Sequence, residues 1–220
     1  MGASSLLDII GSILIGGFLL VIAFTLNLSA QEYSSAYYSS YLLQSNLLTV
    51  VAMIEDDFKH IGYCKNPGLL STGSSIVDAE STKISYQTDY YNTGAIDTVT
   101  YWAGTTAEFA AANPDATTPN MFYLYKKIDS QTPAKWNLGL TQFKLAYWND
   151  MDTPDSMHFS TVATEHGIAA NDLGSIKVTD ISIKLESPVK GHQQYMMDTS
   201  EYQLYWRELR MTSRAFKYPR

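Results

Sequence analysis

The amino-acid sequence predicts an α+β fold, in which one long N-terminal α-helix packs on an antiparallel β-sheet head. The chain carries no charged residue between Asp8 and Glu32. It also carries no glycine between Gly17 and Gly62. After the Gly/Ser/Thr-rich residues 68–75, the spacing of apolar residues changes from that of a helix to the alternation of β-strands. A continuous helix is therefore expected to precede a β-rich region.

The first part of the helix, residues 1–31, is apolar enough to enter a membrane. A helix of about 20 apolar residues spans a hydrocarbon core of about 30 Å, and residues 9–31 contain no charge. A secretory signal peptide begins with a basic region, whereas the first Lys or Arg of this chain is Lys59. We therefore expect a transmembrane helix rather than a signal peptide.

The helix is expected to continue as an amphipathic segment over residues 32–62. Glu55, Asp56 and Asp57 are expected on its solvated face, or as partners of basic groups on another subunit. The apolar residues recur at steps of three, four and seven, which places them on one face that we expect to pack on the head: Tyr33, Tyr37, Tyr41, Leu48, Val51, Ile54, Phe58 and Ile61.

The sequence also predicts both ends of the helix. Ser5 and Asp8 fit a capping box, in which Ser5 is the N-cap and the Asp8 carboxylate stabilises the first turn. At the other end, Gly62 and then Pro67 stop the helix after His60 or Ile61. At 1.5 Å per residue, such a helix is roughly 85 Å long.

Residues 63–220 are predicted to form the β-rich head. Apolar and polar residues alternate in several short runs separated by polar loops, as is typical of strands with one buried face. The candidate strands are residues 83–88, 98–102, 121–128, 140–148 and 176–186, with a sixth within residues 202–213.

Composition and motifs argue against an enzyme or a typical nucleic-acid binder. The net charge is −7 at pH 7, whereas such binders are usually basic. Cys64 is the only cysteine, so we expect a reduced, partly buried thiol, with a bridge between copies as the alternative. No catalytic motif occurs, and we expect no cofactor. A weak Ca²⁺ site could form at three carboxylates: Asp150, Asp152 and Asp155. A solvated acidic turn is favoured, because the central Gly and terminal Glu of an EF-hand are missing.

Asp8 has a second interpretation besides capping. Carboxylates inside membrane segments are costly and usually have a partner. Asp8 would then neutralise a positive charge of a neighbouring copy, most simply that copy's N-terminal amine. Gly11, Gly16 and Gly17 are either close-packing sites between helices, a place where the helix opens, or tolerated glycines in a membrane helix.

The order of elements resembles the type IV pilin and pseudopilin family, in particular the larger PilW-like minor pilins. A short polar N-terminus before a membrane helix with one early carboxylate contributes to the resemblance. So does LLTVVAMIEDDFKHIGYC (residues 47–64), where a helix end runs into a Gly-Tyr segment. The strand series TVTYW, FYLYKKI and GLTQFKLAYWND, followed by VTDISIKLES, completes it.

The chain departs from that family at the N-terminus. Typical members have a basic leader, an aromatic first mature residue and a Glu at the fifth mature position. Here Asp8 is sixth if a leader peptidase cleaves between Gly2 and Ala3, and fifth if it cleaves between Ala3 and Ser4. The basic leader is reduced to Met1, so we do not expect the leader peptidase to cleave within this sequence.

The resemblance implies a structural subunit of an extracellular type IV pilus-like filament on a prokaryotic cell surface. Such a subunit inserts into the inner membrane, meets pilus assembly machinery, and forms a helical homo-oligomer that supports adhesion, motility, uptake or secretion. The residues expected to mediate assembly lie in the apolar half of the helix: Asp8, Gly11, Gly16, Gly17, Leu20 and Phe24. Charged residues expected to pair between subunits are Glu55, Asp56, Arg210 and Arg214.

Two alternatives stay open. The chain is either a minor pilin or pseudopilin at a filament tip, or a non-polymerising, single-pass membrane-anchored ectodomain with a binding role. For the basic C-terminal residues, pairing between subunits is the first choice. An anionic or surface ligand such as DNA is the second.

Overall fold

The computed structural model describes residues 3–70, 75–114, 120–148, 173–186 and 204–211, with the side chains of the first helix described from Asp8 onward. The helix, α1, covers Ala3–Lys59, and a short helix, α2, covers Thr106–Ala112. The strands are β1 Ile76–Ala79, β2 Lys83–Thr88, β3 Asp97–Ala103, β4 Phe122–Ile128, β5 Ala134–Trp148, β6 Val178–Glu186 and β7 Leu204–Met211. The predicted α+β architecture is confirmed.

The strands described form one seven-stranded sheet in the order of the sequence, with every neighbouring pair antiparallel. The sheet is curled, because the turn between β1 and β2 reaches β5. The Leu145 N–H donates to the Ser81 carbonyl at 2.8 Å, and the Tyr147 hydroxyl donates to the Glu80 carbonyl at 2.9 Å. The concave face of this sheet encloses the core.

The C-terminal part of α1 fills that concave face. Its buried apolar side chains recur at helical spacing and, with Ile61 just beyond the helix end, join the sheet residues in one core: Leu43, Leu47, Val50, Val51, Ile54 and Phe58. Phe58 makes edge-to-face contacts with Tyr86 and Tyr101, at ring-centroid distances of 5.6 and 5.9 Å. The helix ends at Lys59, close to the predicted end, and Gly62 follows with a positive φ of 71°.

The predicted docking face of α1 is right for Val51, Ile54, Phe58 and Ile61 and wrong for the residues before them. Four residues expected to pack on the head are at least 60% exposed: Tyr33, Tyr37, Tyr41 and Leu48. The periodicity shows which residues share a helical face, but it does not show where along the axis the partner begins. In the part of the chain that the structure describes, burial of α1 begins at Leu43, and the tyrosines upstream of it are exposed.

Two elements fall outside the predicted ones. The short edge strand β1 has too few residues to show an alternation. Helix α2 lies in a stretch predicted as a polar loop. It begins where the Thr105 hydroxyl accepts a hydrogen bond from the Glu108 N–H at 3.2 Å, and Phe109 is its buried residue.

Gly139, inside β5, allows a close approach between α1 and β6. Its φ is +75°, and a Cβ atom there would lie 2.8 Å from the Glu186 carbonyl oxygen and 3.4 Å from Leu43 Cδ2. Gly94 also has a positive φ, of +86°, but a Cβ atom there would meet nothing within 4 Å. Alanine substitutions at the two glycines therefore distinguish the cost of a left-handed backbone, present at both, from the cost of a steric clash, present only at Gly139.

We expect Gly94→Ala to lower the free energy of unfolding by about 1–2 kcal/mol, the cost of a left-handed conformation. Gly139→Ala should cost clearly more, because the backbone of β6 must also move. Denaturant unfolding of the detergent-solubilised chain, followed by tryptophan fluorescence, measures both. Equal decreases in the free energy of unfolding would show that the close approach at Gly139 does not add to the cost of the substitution.

Candidate functional site

The most extensive exposed apolar surface among the described residues is the apolar half of α1. Every described large apolar side chain from Ile9 to Leu28 is exposed, from 49% for Ile10 to 69% for Phe18. By length and composition, α1 contains one stretch suited to crossing a membrane. Contiguous apolar surface of this extent is rare on soluble monomers and marks a region that a membrane or another protein covers.

The residues predicted to mediate assembly all lie on this exposed half. Leu20 and Phe24 are 57% and 63% exposed. A Cβ atom at any of the three glycines would meet nothing within 4 Å: Gly11, Gly16 and Gly17. None of the described residues therefore packs against these glycines.

Asp8 lies in the second turn of α1, because the helix begins at Ala3. Ser5 is consequently inside the helix and not at the N-cap position that the capping box requires. The Asp8 side chain is exposed, and its backbone carbonyl accepts a hydrogen bond from the Ser12 hydroxyl at 2.7 Å. Among the described side chains, no ion pair involves the Asp8 carboxylate.

An exposed tyrosine cluster, Tyr33, Tyr37, Tyr38 and Tyr41, lies between the apolar half of α1 and the head. The spacing argument assigns three of these residues to packing on the head, and that assignment is wrong. The cluster continues the exposed surface toward the first buried position, Leu43. The uncovered surface of α1 is thus partly aliphatic and partly aromatic.

Two of the four charged residues predicted to pair between subunits, Glu55 and Arg210, have charged partners within the chain. Glu55 lies 3.8 Å from Lys59 on the helix surface, and the exposed Asp56 accepts a hydrogen bond from the His60 ring through its carbonyl. Arg210 binds both oxygens of Asp180, at 2.8 and 2.7 Å. Arg214 lies outside the described residues, as do the Ca²⁺ candidates: Asp150, Asp152 and Asp155.

The prediction that Asp57 lies on a solvated face is wrong. Asp57 and Lys126 are each only 8% exposed, and Lys126 Nζ donates to Asp57 Oδ2. The Tyr101 hydroxyl donates to the same oxygen. Lys126 also donates to the Tyr90 hydroxyl at 3.0 Å. We call these four residues the Asp57 cluster.

Aromatic rings surround the charges of the Asp57 cluster. Lys126 Nζ lies 4.5 Å from the ring centroid of Tyr90 and 5.5 Å from that of Tyr101, within the range of a cation–π contact. Burial and the nearby negative charge of Asp57 raise the pKa of the Tyr101 hydroxyl far above its usual value. Tyr101 therefore stays protonated and remains a hydrogen-bond donor to Asp57.

The sequence contains a signal for the Asp57 cluster that the prediction of a solvated face did not use. In β4, Lys126 alternates with Phe122 and Leu124, so it shares their inward face. In α1, Asp57 lies seven residues after Val50 and three after Ile54, so it shares their buried face. A charged residue at an inward position of each element indicates a buried pair.

Cys64 is a buried free thiol. It lies just beyond the end of α1, where its Sγ donates to the Asn66 carbonyl at 3.2 Å. The predicted location at the end of the helix is confirmed. Among the described residues, no group of three or more His, Cys, Asp or Glu side chains could hold a metal ion.

The geometry thus defines an α+β protein with a helix suited to crossing a membrane. Among the described residues, the head contacts that helix through an apolar core and the buried Asp57–Lys126 pair. Comparisons with family models, with curated proteins and with solved structures find no match for this chain.

Removing the Asp57 carboxylate should destabilise the head strongly. We expect Asp57→Ala to lower the free energy of unfolding by about 3–5 kcal/mol, because the Lys126 charge is left buried without its partner. The neighbouring Asp56→Ala is the matched control and should change stability by less than about 0.5 kcal/mol, since Asp56 is exposed. Denaturant unfolding measures both. Similar small losses would mean that the pair is solvated in solution.

Cys64 should resist both oxidation and alkylation in the folded chain. We expect a single monomer band in non-reducing electrophoresis, and reaction with a maleimide reagent only after unfolding, because the thiol is buried. A covalent dimer would instead support the bridge between copies.

Proposed function

We propose that this chain is a structural subunit of a helical filament, which assembles through the apolar half of α1. The observation that carries the proposal is the continuity of α1. One uninterrupted helix carries an exposed apolar surface, and the described residues of the head bury the helix from Leu43 onward. Water is a poor environment for that surface, and neighbouring copies of the same helix provide an equivalent apolar one.

In this proposal the membrane covers the apolar half before assembly and neighbouring helices cover it afterwards. The three glycines, with open space around them, suit the close approach of another helix. A repeated heterologous contact that does not close into a ring gives a helical fibre. The finer proposal is an extracellular, type IV pilus-like filament on a prokaryotic cell, built from membrane-inserted subunits by pilus assembly machinery.

Asp8 is proposed to set the axial register of neighbouring helices. Its exposed carboxylate lies at the start of an otherwise uncharged surface, so an Asp8–amine pair between copies would favour one register over others. Buried polar pairs specify register in coiled coils in the same way. The capping alternative is weakened, because Ser5 lies within α1.

The second candidate function is a single-pass, membrane-anchored ectodomain with a binding role, favoured by the one helix suited to crossing a membrane. Electron microscopy of native material separates the two functions. We expect fibres. Micelle-bound monomers without fibres at every concentration would support the anchored ectodomain.

The role of Asp8 is tested by comparing assembly of wild type, Asp8→Asn and Asp8→Glu. We expect Asp8→Asn to fold a normal head and enter the membrane but to fail in assembly. An unpaired charge in an apolar setting costs about 3–5 kcal/mol, and the cost recurs with every added copy. The measurement is the ratio of sheared fibre protein to membrane-retained protein.

Glu32→Gln is the matched control, because Glu32 is the acidic residue at the other end of the uncharged segment. It should assemble as wild type does. Normal assembly of Asp8→Asn would refute the charge-pair mechanism while leaving the filament intact.

A further inference from the structure

The Asp57 cluster holds a primary amine against a carboxyl group inside the core. Lys126 Nζ contacts Asp57 Oδ2 directly, across 69 positions of sequence. Asp57 comes from α1 and Lys126 from β4. An amine and a carboxyl group are the two components of an amide bond.

We propose that Asp57 and Lys126 condense to an intramolecular isopeptide bond, a covalent modification that fastens α1 to β4. The proposal is independent of the filament, since it concerns contacts within one chain. It assigns to this site a self-modifying reaction that uses only residues of the chain.

The buried contact holds the two reacting groups together where little water can separate them. In water, an ammonium and a carboxylate stay charged and do not condense. Condensation requires transfer of one proton from the Lys126 ammonium to the Asp57 carboxylate, because the neutral amine is the nucleophile. The fixed contact also replaces a bimolecular encounter, and such orientation corresponds to effective concentrations on the order of 10⁵–10⁸ M in favourable cases.

The reaction balances without an external reagent. The Lys126 nitrogen attacks Asp57 Cγ, a Cγ–Nζ bond forms, and the carbonyl electron pair moves to Oδ1. A proton passes from the nitrogen to Oδ2, the Cγ–Oδ2 bond breaks, and one water molecule leaves. The Oδ1 electron pair then restores the carbonyl, so a carboxylate and an ammonium become one amide and one water, with no oxidation or reduction.

Two tyrosine hydroxyls are placed to assist. The Tyr90 hydroxyl accepts a hydrogen bond from Lys126 Nζ at 3.0 Å and orients the amine. The Tyr101 hydroxyl donates to Oδ2, the oxygen that leaves as water. Hydrogen bonding to a leaving oxygen facilitates its departure.

The chain contains an internal control for proximity alone. Lys83 Nζ lies 2.5 Å from Asp78 Oδ2, but these side chains are 37% and 34% exposed. Water stabilises both charges there, so that pair should stay ionic. A bond confined to Asp57–Lys126 would therefore identify burial as the cause.

The test is mass spectrometry of the full-length wild-type chain, purified in detergent and then denatured. Digestion by trypsin together with a protease that cleaves after Glu should yield a branched peptide that joins residues 56–59 to residues 109–127. Its mass should be lower than the sum of the two parts by one water. Fragmentation should place the link on Asp57 rather than Asp56, and the Asp78 and Lys83 peptides should be unlinked.

Lys126→Arg is the matched variant, because it keeps the positive charge but lacks the amine. It should give no branched peptide and normal cleavage at position 126. Complete cleavage after Lys126 in the wild type, with unlinked peptides, would overturn the proposal. So would a link that forms equally at Lys83, since burial would then not be its cause.

Discussion

The contact between one face of α1 and the concave face of the sheet is the constraint on which the rest of the structure depends. Six apolar residues of α1, from Leu43 to Phe58, join Ile61 and the sheet side chains in one core. Burial of apolar area is the main favourable term in folding, and the described residues of the head surround this one helix. Rotation of α1 about its axis would bring Glu55 and Asp56 into the core. The apolar pattern therefore determines the rotation of the helix.

The Asp57 cluster adds a polar constraint to this apolar contact. Apolar packing tolerates small shifts along the helix axis, whereas an ion pair with hydrogen bonds from Tyr101 and Lys126 requires one position. Replacing a buried pair by apolar residues is often neutral for stability, but separating its partners is costly. The cluster thus contributes to specificity of the helix position more than to net stability.

Because α1 is continuous, whatever holds its C-terminal part also orients its exposed part. The head covers α1 from Leu43 onward, and the tyrosine cluster and the apolar half extend beyond it. The continuity of the helix therefore relates the direction of the exposed apolar half to the position of the head.

The sequence by itself determined the features that depend on neighbouring residues. The uncharged segment, the helical spacing up to Phe58, the stop at Gly62 and the alternation of β2 to β6 are local, because each reflects the periodicity of one element. Local patterns also indicate that Asp57 and Lys126 face inward. This follows from comparing the position of each residue with those of the apolar residues on the same face of its element.

Only the tertiary structure decided where along α1 the head begins, and therefore that Tyr33, Tyr37 and Tyr41 are exposed. It likewise decided that Asp57 meets Lys126 and that Arg210 meets Asp180. These are distances between elements far apart in sequence, and they depend on how the sheet curls around the helix. A periodic pattern specifies a face but not its partner, since the partner is chosen by the packing of the whole core.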